Sequence, residues 1–222
     1  MNRILALDTT TEFGSLALAD GGQVVVEVLL HSNEGFSRIL FDHLRGLLER
    51  TGWELEDIGC FAAAAGPGSF TGVRVGLAAV KGLAEALGKR VVAVSNLEAV
   101  AWFGGAALRA AVVDARRGQI YGAVYNAGLK IVSPEVVMPL PAWLATLPEG
   151  DLEFVCQDSA WFCPALVGTR FEHAAVCEAP RALAGAIARI AAARLDAGLS
   201  QNPAEIDANY VRRSDAELFW RQ

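Results

Sequence analysis

Gly66-Pro67-Gly68-Ser69-Phe70-Thr71-Gly72-Val73-Arg74-Val75-Gly76-Leu77 is the stretch that decides the fold. An apolar run from Ile58 to Ala65 leads into it, short enough to be a buried strand. The Ala/Val/Leu-rich segment that follows reads as a helix over 72–87. The stretch is therefore a strand-to-helix junction. Gly66 and Gly68 permit backbone angles that other residues avoid, Pro67 stiffens the bend, and Ser69 or Thr71 can cap the first free amides of the helix. Such a junction serves either as a structural turn or as a cradle for an anion, and both readings stand. The named motifs fail. A Walker loop needs Gly-Lys before Ser or Thr where Gly72-Val73-Arg74 stands, and a Rossmann loop needs its third glycine where Thr71 stands. A nucleophile elbow needs glycines at Pro67 and Thr71.

Upstream, Ile4 to Leu7 is a strand ending at Asp8. The hydroxyl-rich turn Thr9-Thr10-Thr11 follows, then strands Ser15–Ala19 and Val24–Leu30, an antiparallel meander. An aspartate at the tip of a first strand can orient a magnesium-bound phosphate, with Thr9, Thr10 or Ser15 donating hydrogen bonds; the other reading is an Asx-turn closing a hairpin. The same device recurs where strand Ala110–Val113 ends at Asp114, turns through Ala115-Arg116-Arg117-Gly118 and returns as Gln119–Tyr125. The repeat implies two lobes of related topology, placed at 1–100 and 101–222.

Two helices belong to the first lobe. Over 36–50, Phe36, Ile39, Leu40, Leu44, Leu47 and Leu48 recur at helical spacing, with Thr51-Gly52 as the stop. Over 72–87, Arg74, Lys81 and Glu85 form one narrow polar stripe, while Val73, Val75, Leu77, Val80, Leu83, Ala84 and Leu87 fill most other directions. A helix of that kind needs cover on two sides, its own sheet and another helix or protein; Gly72, Gly76 and Gly82 allow close approach. Further strands are expected at Leu55–Ala65, Val91–Val94, Lys130–Met138 and Leu152–Cys156. Helices are expected after the capping box Ser95-Asn96-Leu97-Glu98, at Pro141–Leu147 and at Pro180–Leu195.

The chain is 53% hydrophobic and 20% charged, with a formal charge of −6 and a pI near 5.1. That balance argues against an extended basic surface gripping nucleic acid by its phosphates. No apolar stretch suits a signal peptide or a membrane span, so a cytoplasmic location is expected. Cys60, Cys156, Cys163 and Cys177 form no Cys-x-x-Cys pair and read as buried free thiols. His31, His43 and His173 include no pair one helical turn apart, so no metal centre of the His-x-x-x-His kind is expected.

The Ser69-Phe70-Thr71-Gly72-Val73-Arg74 core of the junction closely resembles the TsaB (YeaZ) family of bacteria, and the likeness extends over most of the chain. Asp114-Ala115-Arg116 resembles that family's Asp-Ala-Arg signature. Asn209-Tyr210-Val211-Arg212 resembles its Pro-x-Tyr-Leu-Arg ending, with variants. The resemblance implies an actin-like α/β fold (the class of actin, sugar kinases and Hsp70-like ATPases), two lobes each with a mixed sheet flanked by helices, the second degenerate. It implies a non-catalytic subunit that partners TsaD, with TsaE, in making threonylcarbamoyladenosine on transfer RNA, the RNA being held by other subunits.

In that family the two first-lobe helices form a four-helix interface with TsaD, or with a second copy as a homodimer when alone. This places Phe36, Ile39, Leu40, His43, Leu44, Leu47, Val73, Arg74, Leu77, Val80, Lys81 and Ala84 at the joint. Nucleotide or anion contact falls to Asp8, Thr9, Thr10, Ser15, Gly66, Gly68, Ser69, Thr71, Asp114 and Arg116. No cofactor is expected to bind tightly; ATP or ADP with magnesium at the shared interface is the one implied. Gln157-Asp158-Ser159 stands where nucleotide-binding relatives carry a glycine pair, which counts against ATP binding by this chain alone. Arg116 and Arg117 read as an anion contact, a pair for acids on a partner, or a solvated turn. The alternative function is a free-standing small-molecule kinase or ATPase; a peptidase finds neither metal pair nor activated nucleophile.

Overall fold

In a computed structural model, which describes residues 2–211, β1 (Arg3–Asp8), β2 (Phe13–Asp20), β3 (Gln23–His31), β4 (Cys60–Ala64) and β5 (Arg90–Val94) form one sheet in the order β3-β2-β1-β4-β5. The meander β1-β2-β3 is antiparallel, Leu5 opposite Leu18 and Leu7 opposite Leu16, whereas β4 and β5 run parallel to β1. Because side chains alternate between faces, Leu5, Leu7, Leu16, Leu18, Phe61 and Ala63 share one face. There they meet α1 (Leu40–Thr51) and α2 (Phe70–Leu87) in a single core.

The opposite face carries small residues, Ala6, Ala17, Ala19 and Ala62, all buried. A sheet apolar on both faces must be covered on both. The second cover is α6 (Ala184–Asp196), itself alanine-rich, which returns from the far end of the chain. Ser15 Oγ accepts from Leu183 N (3.1 Å) and Ala184 N (3.0 Å), and Glu27 Oε1 accepts from Gly185 N (2.7 Å), so β2 and β3 satisfy the free amides at its start. The first unit is accordingly Met1–Asn96 together with Arg181–Asn209, and the second Leu97–Pro180 with the remaining tail. This corrects the expected lobe 101–222. The alanine face of the first sheet needs a helix, and 184–196 supplies it.

In the second unit β6 (Leu108–Asp114), β7 (Gln119–Asn126), β8 (Ile131–Pro139), β9 (Leu152–Cys156) and β10 (Val176–Glu178) make a sheet in the order β10-β9-β6-β7-β8. Its antiparallel β6-β7-β8 and parallel β6-β9 pairs repeat the first sheet's pattern. α4 (Leu140–Thr146) and α5 (Ser159–Phe162) bring Trp143 and Phe162 to Phe154 in a separate core. α3 (Asn96–Ala101) begins where expected. The strand expected at Leu55–Ala65 is shorter, since Leu55–Asp57 is a 3-10 turn. α1 starts at Leu40, and α5 and β10, too short to carry a period, had no expectation. Arg212 of the Tyr-containing ending, and Arg213 after it, lie outside the described residues.

Candidate functional site

Asp8 ends β1 fully buried. Its Oδ1 accepts from Thr10 N (2.9 Å) and from Thr10 Oγ1 (2.6 Å). Thr10 Oγ1 in turn accepts from Asn96 Nδ2 (2.7 Å), and Asn96 Oδ1 accepts from Gly66 N (3.0 Å). Asn96 N donates to Gly66 O (2.9 Å), Ser69 N to Thr10 O (2.7 Å), and Thr9 Oγ1 to Gly72 O (2.7 Å). The first-strand turn and the glycine junction are thus one hydrogen-bonded body. Burial raises the Asp8 carboxyl above its ordinary 3.8, and the donors from Thr10 and Asn96 lower it in part.

The glycines explain the closeness. Gly66 has φ 101°, a left-handed angle that favours glycine. Gly68 is glycine for space, since a Cβ there would lie 2.7 Å from the Thr10 carbonyl oxygen. A Cβ at Gly72 would run into the Thr9 carbonyl oxygen, and one at Gly76 would lie 2.6 Å from Thr9 Oγ1. Two of the three helix glycines expected to admit a partner therefore admit this chain's own Thr9. Ser69 caps α2, accepting from Gly72 N (3.3 Å), and Thr71 is exposed in its first turn.

Of the residues expected to meet nucleotide, the structure joins Asp8, Thr9, Thr10, Gly66, Gly68 and Ser69 in this body, and Ser15 is turned to α6. In the second unit Asp114 Oδ1 accepts from Arg116 N (2.7 Å), the Asx-type turn, with both residues exposed. Asn96, the node between Thr10 and Gly66, had no expectation beyond a place in the capping box. An asparagine two residues past the end of a buried strand is the available signal.

The partner face differs from the expectation. Phe36, Leu40, Leu44, Leu47, Val73, Leu77, Val80 and Ala84 are buried in the first unit's own core. They cannot meet a partner directly, because the sheet beneath already takes them. A charge at Leu44 or Val80 would damage that core before it tested any docking. Ile39 and Lys81 are half-buried, and His43 and Arg74 are exposed. Part of the second cover for α2 is also internal, since Ile206 and Ala208 join the same core.

What α1 and α2 present outward is Phe41, Asp42, His43, Arg45 and Glu49 on the one, and Phe70, Arg74, Ala78, Gly82 and Glu85 on the other. Phe41 is 49% and Phe70 44% exposed, and the Arg74 guanidinium lies 3.7 Å over the Phe70 ring. Gly46 of α1 and Gly82 of α2 have nothing within 4 Å of where a Cβ would sit.

The cysteines are free. Cys60 and Cys156 are buried, and burial pushes each thiol up to about 11. Cys163 is exposed, contrary to the expectation of four buried thiols, because it lies in the solvent-facing turn after α5. Among the described residues no helix is long and apolar enough to cross a membrane.

Two mixed five-stranded sheets of matching order, each opened by a strand-Asp-turn hairpin, place the chain among the actin-like proteins. The family described as TsaD: tRNA N6-adenosine threonylcarbamoyltransferase matches residues 31–161. The tRNA threonylcarbamoyladenosine biosynthesis protein TsaB of Escherichia coli is 41% identical over 128 residues, 56% of this chain and 55% of that protein. The protein of the same description from Bacillus subtilis is 35% identical over 155 residues, 67% of each chain. In these alignments the chain spans about half of the first relative's length and two thirds of the second's. The solved structure of YeaZ from Pseudomonas aeruginosa superposes with a TM-score of 0.81 at 28% identity, covering 95% of this chain and all of that one. The chain belongs to the TsaB (YeaZ) family.

Proposed function

We propose that this protein is a non-catalytic subunit in the threonylcarbamoyladenosine modification of transfer RNA, docking on the TsaD transferase through the outward faces of α1 and α2 and working with TsaE. The observation that carries the docking is the pair Gly46 and Gly82. A glycine inside an exposed helix costs about 1 kcal/mol against alanine, and neither of these admits any part of its own chain. Such positions suit a partner helix whose backbone comes close, flanked by the exposed Phe41 and Phe70 as anchors. The same face serves self-association when TsaD is absent.

The non-catalytic part rests on the Asp8 body. In an actin-like kinase the first aspartate and its hydroxyl neighbours hold a magnesium phosphate; here Thr9, Thr10 and Ser15 are engaged within the unit. Transfer RNA is held by other subunits, since a chain of net charge −6 repels a polyanion. The test is reconstituted threonylcarbamoyl transfer to tRNA with TsaD and TsaE. Product formation should require this chain and persist when Asp8→Asn replaces it. Transfer that proceeds without the chain refutes the proposal. Transfer that fails with Asp8→Asn despite normal assembly favours the kinase or ATPase reading.

A further inference from the structure

β3 is an edge of the first sheet, and among the described residues no further strand pairs with it. The opposite edge, β5, is closed by the chain itself: Val91 N donates to Gln201 O (3.0 Å), Gln201 N to Val91 O (2.8 Å), and Ala93 N to the Gln201 side chain (3.4 Å). In the second sheet β8 carries Pro134 and two breaks of register against β7, and β10 is three residues long. Edges are commonly blunted in such ways, because a row of free amides and carbonyls is a template for another strand. The stretch from Gln23 to Ser32 holds no proline, lysine or arginine, and Leu29 within it is 48% exposed.

A bulge limits how much of β3 can pair. Leu18 stands opposite Val26 and Ala19 opposite Val24, so Val25 is an extra residue. At the other end Ser32 N donates to Glu12 O (3.2 Å) before the chain turns. The regular run is therefore 26–32, and its middle residue is Leu29. In an antiparallel ladder successive residues turn their backbone groups alternately toward the neighbouring strand and away from it. Ser32 turns toward β2, so Leu30 and Val28 do as well, and His31, Leu29 and Glu27 turn theirs to the open side. Phe13 N, in the residue opposite His31, accordingly donates to Thr11 Oγ1 (3.1 Å) and not across the pair.

We propose that the β3 edge is a docking site for a second copy of this chain, the two strands pairing antiparallel about a two-fold axis at Leu29. Such an axis sets one residue opposite itself. Placed at Leu29, it sets Glu27 of each copy opposite His31 of the other, and Val28 opposite Leu30. Every residue that turns its backbone to the open side then meets another that does, so each gives its N–H and accepts at its carbonyl. The side chains match as well: leucine meets leucine at the axis, and a carboxylate meets an imidazole on either side of it. Other registers match less well. An axis at Glu27 sets the two carboxylates against each other, and an axis at Val28 sets Glu27 against Leu29 and brings in the bulge. The pairing leaves α1 and α2 uncovered, so it is independent of the docking proposed for them and separate from self-association through those helices.

The test is sedimentation velocity on the full chain carrying Gly82→Lys, which opposes pairing through the helices, at concentrations up to about 200 μM, since a strand edge makes a small interface of modest affinity. A reversible dimer is expected. Leu29→Lys sets two like charges at the axis, and His31→Glu sets an acid against Glu27. Each should weaken the dimer about tenfold or more while melting within about 3 °C of the chain without it. Both side chains are exposed, and should one variant not fold the other decides. A cross-link tests the register. With Cys163→Ser removing the exposed native thiol, Leu29→Cys should form a disulfide between copies, oxidised glutathione taking the two electrons and two protons to become two reduced glutathiones. Val25→Cys, which has no copy of itself opposite, should not. A chain that stays monomeric at every concentration overturns the proposal. So does a dimer that neither substitution weakens, and so does cross-linking of Val25→Cys in preference to Leu29→Cys. Failure of the helix docking leaves these comparisons intact, because Gly82→Lys is common to all of them.

Discussion

Thr10→Val removes the hydroxyl that ties Asp8 of the first-strand turn to Asn96, the residue holding Gly66, while keeping the side chain's shape. In the parent that hydroxyl donates to Asp8 Oδ1 at 2.6 Å and accepts from Asn96 Nδ2 at 2.7 Å, all three residues being buried. A hydrogen bond to a charged acceptor contributes roughly 1.5–3 kcal/mol, and stranding a buried donor costs roughly 1–3 kcal/mol. The methyl in place of the hydroxyl is buried and recovers about 0.8 kcal/mol. The net loss is about 3 kcal/mol, which for a chain of this size lowers the melting temperature by roughly 6–12 °C. Thermal unfolding followed by circular dichroism at neutral pH measures it. Thr10→Ser keeps both hydrogen bonds and should cost roughly 2–3 °C. If Thr10→Val melts within about 2 °C of the parent, or no lower than Thr10→Ser, the Asp8-Thr10-Asn96 body does not hold the junction as argued.

Three further predictions follow from the same geometry. Gly72→Ala places a methyl against the Thr9 carbonyl oxygen and, despite alanine's better helix propensity, should destabilise by about 2 kcal/mol or more in urea unfolding; a stabilised variant would show that α2 does not sit where described. Asp8 and pH are linked through its raised pKa. The folded state holds the proton more tightly than the unfolded one, so this stabilising contribution is full below 3.8 and is lost as pH rises through the raised value. Asp8→Asn, which cannot titrate, should therefore gain stability relative to the parent as pH rises through that window, and a difference constant with pH contradicts the assignment. Timed alkylation at pH 8 followed by mass mapping should label exposed Cys163 first and leave Cys60 and Cys156, buried and held near 11, unreacted in the folded protein; early labelling of Cys60 would refute its burial.

The junction was readable because its residues speak locally. Ser69 is placed to cap, Gly66 to turn left-handed, and Ile58 to Ala65 to be a buried strand. The repeat of Asp8 and Asp114 at strand tips gave the two-sheet architecture for the same reason. The partner face was misread at Leu44 and Val80 because periodicity reports that a stripe is apolar and cannot say which surface covers it; here the sheet does. The return of α6 was missed because its partners, Ser15 and Glu27, lie more than 150 residues away in sequence. Gly72 and Gly82 look alike in the sequence, one pressed on Thr9 and the other open. Only the three-dimensional neighbours distinguish them.

Docking of TsaD on α1 and α2 is read out by size-exclusion chromatography with light scattering on this chain, TsaD and their mixture. Gly82→Lys is the variant of choice, since a Cβ at that position meets nothing in this chain and lysine replaces glycine in a helix interior with a gain of about 0.7 kcal/mol. The parent should form a mixed complex with TsaD that displaces any self-dimer through the same helices, and Gly82→Lys should melt no lower yet elute apart from TsaD. A parent chain that ignores TsaD, or a Gly82→Lys variant that binds it as the parent does, would rule out docking through these helices.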